Sequence, residues 1–156
     1  EDNLGNGNEK FVAEAASHEA GHTFGLSHDG GPGTAYYGGH GSGETGWASI
    51  MGVGYYQNLS QWSRGEYSGA NNGQDDLAIV SNATNGFGYR ADAAGDTLPT
   101  AAALGVTGTA VRQAGIIERN TDADVYAFDA GAGAIALTVN PAARGPNLDI
   151  AATLYN

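Results

Sequence analysis

The sequence predicts an α+β chain. Three observations point there: one amphipathic helix near the start, a final third that alternates with period two, and dense glycine between them. The 156 residues include 26 glycines, far above the usual ~7%, and they crowd between Gly30 and Gly54, where long regular elements are unfavourable. That length suits one domain or two small ones.

The first helix starts at Asn8 or Glu9 and runs Glu-Lys-Phe-Val-Ala-Glu-Ala-Ala-Ser-His-Glu-Ala-Gly-His-Thr-Phe. Asn8 suits an N-cap, and Glu9 stands in the first turn, where the helix dipole favours an acid. Phe11, Ala15, His18 and His22 fall on one face, with Val12, Ala16 and Thr23 beside it. Gly25 falls where a left-handed cap ends a helix. A glycine-rich loop follows from about Asp29 to Gly46, then the short run Trp47–Gly52. A second helix is expected over Gln74–Ser81, capped by Asn71 or Asn72, with Asp75 and Asp76 in its first turn and Leu77, Ile79 and Val80 as apolar contacts. Residues 82–94 read as a linker, and a boundary is placed near residue 94. Asp124–Asp129 and Ala134–Val139 alternate and read as strands joined at Ala130–Gly133.

Composition narrows the function. A net charge of −11 repels phosphate, which argues against nucleic acid and anionic membranes as partners. No window approaches the ~20 apolar residues of a bilayer-spanning helix. The absence of cysteine excludes a disulfide framework and any thiolate metal site. Oligomeric state is not legible.

The chemistry sits in His18-Glu19-Ala20-Gly21-His22-Thr23-Phe24-Gly25-Leu26-Ser27-His28. Histidines four apart on a helix project to one side, so both imidazoles can reach one ion. A bend at Gly25 lets His28 return as a third nitrogen ligand while a fourth position stays open for water. Nitrogen ligands without cysteine favour zinc. Glu19 lies about 100° further round the helix than His18, beside the metal position rather than on it, where it can act as general base toward a metal-activated water. The five specified positions coincide by chance on the order of once in ten million starts at average residue usage.

This pattern resembles the metzincin clan of zinc endopeptidases, whose HExxHxxGxxH signature precedes a methionine-containing turn, here Ser49-Ile50-Met51-Gly52. Asp29 after the third histidine resembles the reprolysin (adamalysin-like) branch. The resemblance implies peptide-bond hydrolysis of a protein or peptide substrate. It also implies Met51 as an apolar floor beneath the imidazoles and Asp29 as a brace for the segment carrying His28. It covers residues 9–81, the lower half of such a domain with its active-site helix, Met-turn and C-terminal helix. The parallel sheet that precedes the helix in metzincins is not represented in the roughly eight residues before it. The tyrosine that some branches carry two residues after the methionine, where it can ligate zinc or stabilise the oxyanion, is replaced by Val53, and neither Tyr55 nor Tyr56 is assigned that role. Gly54–Ser63 would line a substrate pocket or lie in the core. His40 has no partner at ligand spacing.

Residues 95–156, through Gly95-Asp96-Thr97 and Asp122-Ala123-Asp124-Val125-Tyr126-Ala127-Phe128, resemble the start of a bacterial pre-peptidase C-terminal domain. That implies part of a β-sandwich and a secreted bacterial protein, with calcium at Asp122, Asp124 and Asp129 as a further possibility. Three other readings stay open: a secreted surface- or polymer-binding module with a non-catalytic zinc, a different hydrolase such as an amidase, and a catalytically incomplete fragment. Retention of Glu19 argues against the first, because a structural zinc needs no base.

Overall fold

The computed structural model describes residues 5–143, 146 and 148–156. Helices and small sheets mix along the chain: α1 (Glu9–Thr23), β1 (Trp47–Ser49), β2 (Leu59–Gln61), α2 (Asp76–Val80), β3 (Ala102–Ala103), β4 (Val106–Thr107), β5 (Ala110–Val111) and β6 (Tyr126–Ala127). They fold as two compact units, Glu1–Gly88 with Thr138–Asn156, and Tyr89–Leu137. The division falls after Gly88, whereas the sequence places the boundary near residue 94, and Thr138–Asn156 groups with the first unit.

α1 begins as its sequence predicts. Asn8 leaves the helical region, and its Oδ1 accepts the N–H groups of Lys10 (3.0 Å) and Phe11 (3.3 Å), two donors that no earlier turn can satisfy. The helix ends by a Schellman turn. Leu26 N–H donates to the Gly21 carbonyl and Gly25 N–H to the His22 carbonyl, both at 3.1 Å, with Gly25 at φ +93°. This bonding pattern requires a left-handed residue just past the helix. Val12, expected beside the buried face, is 49% exposed, whereas Glu14 and Gly21 are buried. Glu14 is held under the helix by Lys10 Nζ at 2.6 Å and by the Ser60 hydroxyl. The inward stripe therefore follows positions 14, 18 and 21.

β1 and β2 pair in parallel, Trp47 opposite Leu59 through Ser49 opposite Gln61. The link between them is Ile50–Asn58, so the methionine turn is the start of this crossover. Gly52 N–H closes it on the Ser49 carbonyl at 3.1 Å. Around it lies the core of the first unit, with Leu26, Ala48, Met51 and Tyr67 buried.

The second helix is shorter than predicted, five residues capped by the Asp75 side chain, which accepts the Ala78 N–H at 2.9 Å. Asn71 and Asn72 do not cap it. Their amides are drawn away by backbone groups near residue 30, described below. Leu77, expected as an apolar contact, is 43% exposed.

In the second unit β3 pairs in parallel with β6, and β4 with β5 forms a hairpin across Gly108, at φ +63°. The period-two runs overstate the strands. Only Tyr126–Ala127 of 124–129 is a strand, and 134–139 has no regular structure, with Ile135, Leu137 and Val139 about half exposed. Alternation needs a partner edge for its backbone groups and an opposing face for its apolar side chains. Among the described residues, 134–139 has neither.

Candidate metal centre

The three histidines come together. One ring nitrogen from each of His18, His22 and His28 lies within 4.8 Å of the others. Two of these atoms, His22 Nε2 and His28 Nε2, are 3.0 Å apart. Nitrogens held 2.0–2.1 Å from a tetrahedral ion stand about 3.3 Å from one another, so the spacing suits shared ligation.

The far side of two rings is fixed by the backbone. His18 Nδ1–H donates to the Ile50 carbonyl (2.9 Å) and His22 Nδ1–H to the Leu26 carbonyl (2.8 Å). A carbonyl can only accept, so Nδ1 carries the proton in both and Nε2 is left with a free lone pair. This is the arrangement by which metal-ligating imidazoles have tautomer and orientation set. For His28, burial holds the imidazole below its usual pKa, reinforced by the neighbouring His22 and His18 rings and opposed by Glu19. The neutral form, the one that ligates, is thereby favoured. The residues present therefore fit a metal ion.

Each supporting residue named from sequence has a definite place. Glu19 is exposed on α1, one position past the first ligand, and its charge reaches His28. Gly25 makes the turn that brings the Leu26 carbonyl to His22. Met51 is fully buried and packs against α1 at Gly21, where a Cβ would collide with its sulfur. Asp29 is 1% exposed. Its N–H donates to the Met51 carbonyl (2.8 Å) and its carbonyl accepts the Tyr37 N–H (2.7 Å), while Oδ1 accepts the Asn72 amide at 3.0 Å. The residue after the third histidine is thus tied to the methionine turn on one side and to Asn72 on the other.

Several contributors escaped the sequence reading. The carbonyls of Ile50 and Leu26 leave no trace in residue type. Gly21 carried a signal, because glycine inside a helix costs about 1 kcal/mol relative to alanine and needs a reason; here the reason is the close approach of Met51. Asn72 and Gln74 clamp the returning segment. Gln74 accepts the Ser27 N–H (2.7 Å) and donates to the Gly25 carbonyl (3.1 Å). Asn71 accepts the Gly30 N–H at 2.9 Å, and the Tyr67 hydroxyl donates to the Gly30 carbonyl at 2.9 Å. Tyr36 stands beside the histidines, its ring centroid 4.4 Å from that of His28.

His40 is not part of the group. Its Nδ1 meets the Tyr37 hydroxyl at 2.6 Å and its ring lies against Trp47. Tyr55 and Tyr56 pack on Phe11, with centroids at 5.0 and 5.5 Å. In the second unit, Asp92, Asp122 and Asp124 form a separate acidic group that could hold a cation; Asp129 is not a member.

Fold and site together define a mixed α/β chain with a three-histidine group able to hold a metal ion. A scan against protein-family models found no match, and neither curated proteins nor solved structures yielded one.

Proposed function

We propose that this chain is a zinc-dependent endopeptidase of the metzincin type, with His18, His22 and His28 as the metal ligands and Glu19 as the general base. The observation that carries the reading is the convergence of three imidazoles, two with Nδ1 protons committed to backbone carbonyls, beside an exposed glutamate. Three nitrogen donors from one helix and its return leave a side open to solvent, as a catalytic ion requires and a structural one does not.

When bound, zinc supplies Lewis-acid polarisation of the substrate carbonyl and lowers the pKa of water to about 7. The chain's own groups do the rest. Glu19 takes the proton from the attacking water on its carboxylate and passes it to the leaving amine. Met51, packed at Gly21, and Asp29, tied to the Met51 carbonyl and to Asn72, keep the helix and its return in register so that the imidazoles stay fixed. The finer fold assignment, the lower half of a metzincin domain followed by part of a β-sandwich, is carried by the same signature and by Met51 on the turn after β1. A protein or peptide substrate and secretion from a bacterium follow from that assignment, and the acidic charge agrees with a substrate other than a polyanion.

Glu19→Gln tests the base directly. It is expected to retain bound metal while peptide cleavage falls by about 10²–10⁴-fold. Undiminished cleavage by this variant would overturn the assignment.

A further inference from the structure

After His28 the chain runs Gly31-Pro32-Gly33-Thr34. Proline presets φ at the second position of a tight turn and glycine supplies positive φ at the third. The structure has that turn: Gly31 and Thr34 exchange backbone hydrogen bonds of 3.0 and 3.1 Å, and Gly33 has φ +74°. The Thr34 hydroxyl then accepts the Tyr36 N–H (3.3 Å) and donates to the Tyr36 carbonyl (2.9 Å). Tyr37 is paired by its backbone to Asp29 and Val53. Position 36 is held from both sides.

Tyr37 turns inward and stacks on Tyr67, centroids 3.8 Å apart. Tyr36 turns toward the histidines, 4.4 Å from His28 and 6.1 Å from His18. It remains 45% exposed. Among the described residues its hydroxyl has no hydrogen-bond partner, as for the other exposed tyrosines, whereas the inward Tyr37 and Tyr67 hydroxyls each have one. A phenol beside two ligand imidazoles, fixed at its backbone and free at its O–H, is placed to serve a molecule entering from solvent.

We propose that Tyr36 is a catalytic hydrogen-bond donor to the scissile carbonyl oxygen, steadying the charge that gathers there as water attacks. This rests on the peptidase reading. Glu19 handles the proton, and Tyr36 donates a hydrogen bond without giving its proton up. Preorganised donors of this kind act where charge develops, so their loss appears in kcat rather than in KM.

The test compares the zinc-loaded chain with Tyr36→Phe, which keeps the ring and removes the hydroxyl. Three quantities are read: zinc per chain, kcat and KM on a peptide substrate, and calorimetric affinity for a phosphinic peptide, whose tetrahedral phosphorus mimics the attacked carbonyl. The expected result is unchanged zinc, kcat lower by about 10²-fold, KM within about twofold, and phosphinate affinity reduced in step with kcat. Unchanged kcat and phosphinate affinity would overturn the role of Tyr36 and leave the peptidase reading standing. Loss of zinc from Tyr36→Phe would overturn it too, by assigning the hydroxyl to the metal pocket. If the zinc-loaded wild-type chain neither cleaves peptides nor binds the phosphinate, the peptidase reading falls and the role of Tyr36 with it.

Discussion

Two glycines near the histidines answer different physical demands. Gly25 sits at φ +93°, and a Cβ there would meet nothing within 4 Å; its requirement is backbone shape alone. Gly25→Ala therefore loses about 1–2 kcal/mol from left-handed strain, measurable by urea unfolding, and Gly25→Asn loses less because asparagine tolerates that region. Gly21 has ordinary helical φ, and its requirement is room for Met51. The first demand is legible in a sequence, since a glycine at a helix end signals a cap. The second is not, because the crowding atom is 30 residues away. The same limit hides the Ile50 and Leu26 carbonyls, which orient His18 and His22 through a group every residue possesses. It also hides which of the adjacent tyrosines 36 and 37 faces the histidines, a matter of register.

At the level of elements, the returning segment 25–30 has no regular structure of its own and is held by side chains from 67–74. Asn72 reaches both the Ser27 carbonyl (3.3 Å) and Asp29 Oδ1 (3.0 Å). Asn72→Ala is expected to cost about 1 kcal/mol per net hydrogen bond lost. It should also weaken zinc binding by about tenfold, as loss of a group behind the ligands does, read by competition with a chromophoric chelator. An affinity equal to wild type would mean that His28 is positioned without this clamp. The sequence offered Asn71 and Asn72 as helix caps, a sound local reading defeated by a longer-range demand: Asp75 was available to cap α2, and buried backbone groups near residue 30 needed partners. α1 was legible almost to the residue, because its cap, its face and its stop are all local. The short strands were not, because pairing depends on edges that period-two patterning cannot supply.

Across the whole molecule the mixed α/β character was legible, and so was the histidine group, since a spaced motif fixes its own geometry on a helix. Its acidity has a consequence for stability. Asp76 is fully buried, and burial is the main reason its carboxyl is pushed up to about 6, with Asp29, Asp75 and Glu66 adding to the effect against the Ser63 N–H bond. Asp29 is pushed the same way, first by burial. The unfolded chain releases the Asp76 proton near pH 4 and the folded chain near 6. Between those values the folded state binds more protons, so stability falls as pH rises through the window and levels off above it. The metal-free protein is expected to lose up to about 3 kcal/mol from this group between pH 4 and 7, and Asp76→Asn to flatten that part of the curve. Urea midpoints across the range check this, and a wild-type profile that rises over the same window would contradict it.

The central claim is that His18, His22 and His28 hold one ion. Elemental analysis of the purified chain, of His22→Ala and of His40→Ala after identical handling tests it most directly. The account predicts one zinc per chain in the wild type and in His40→Ala, and none in His22→Ala. Zinc absent from all three, or retained by His22→Ala, would contradict it.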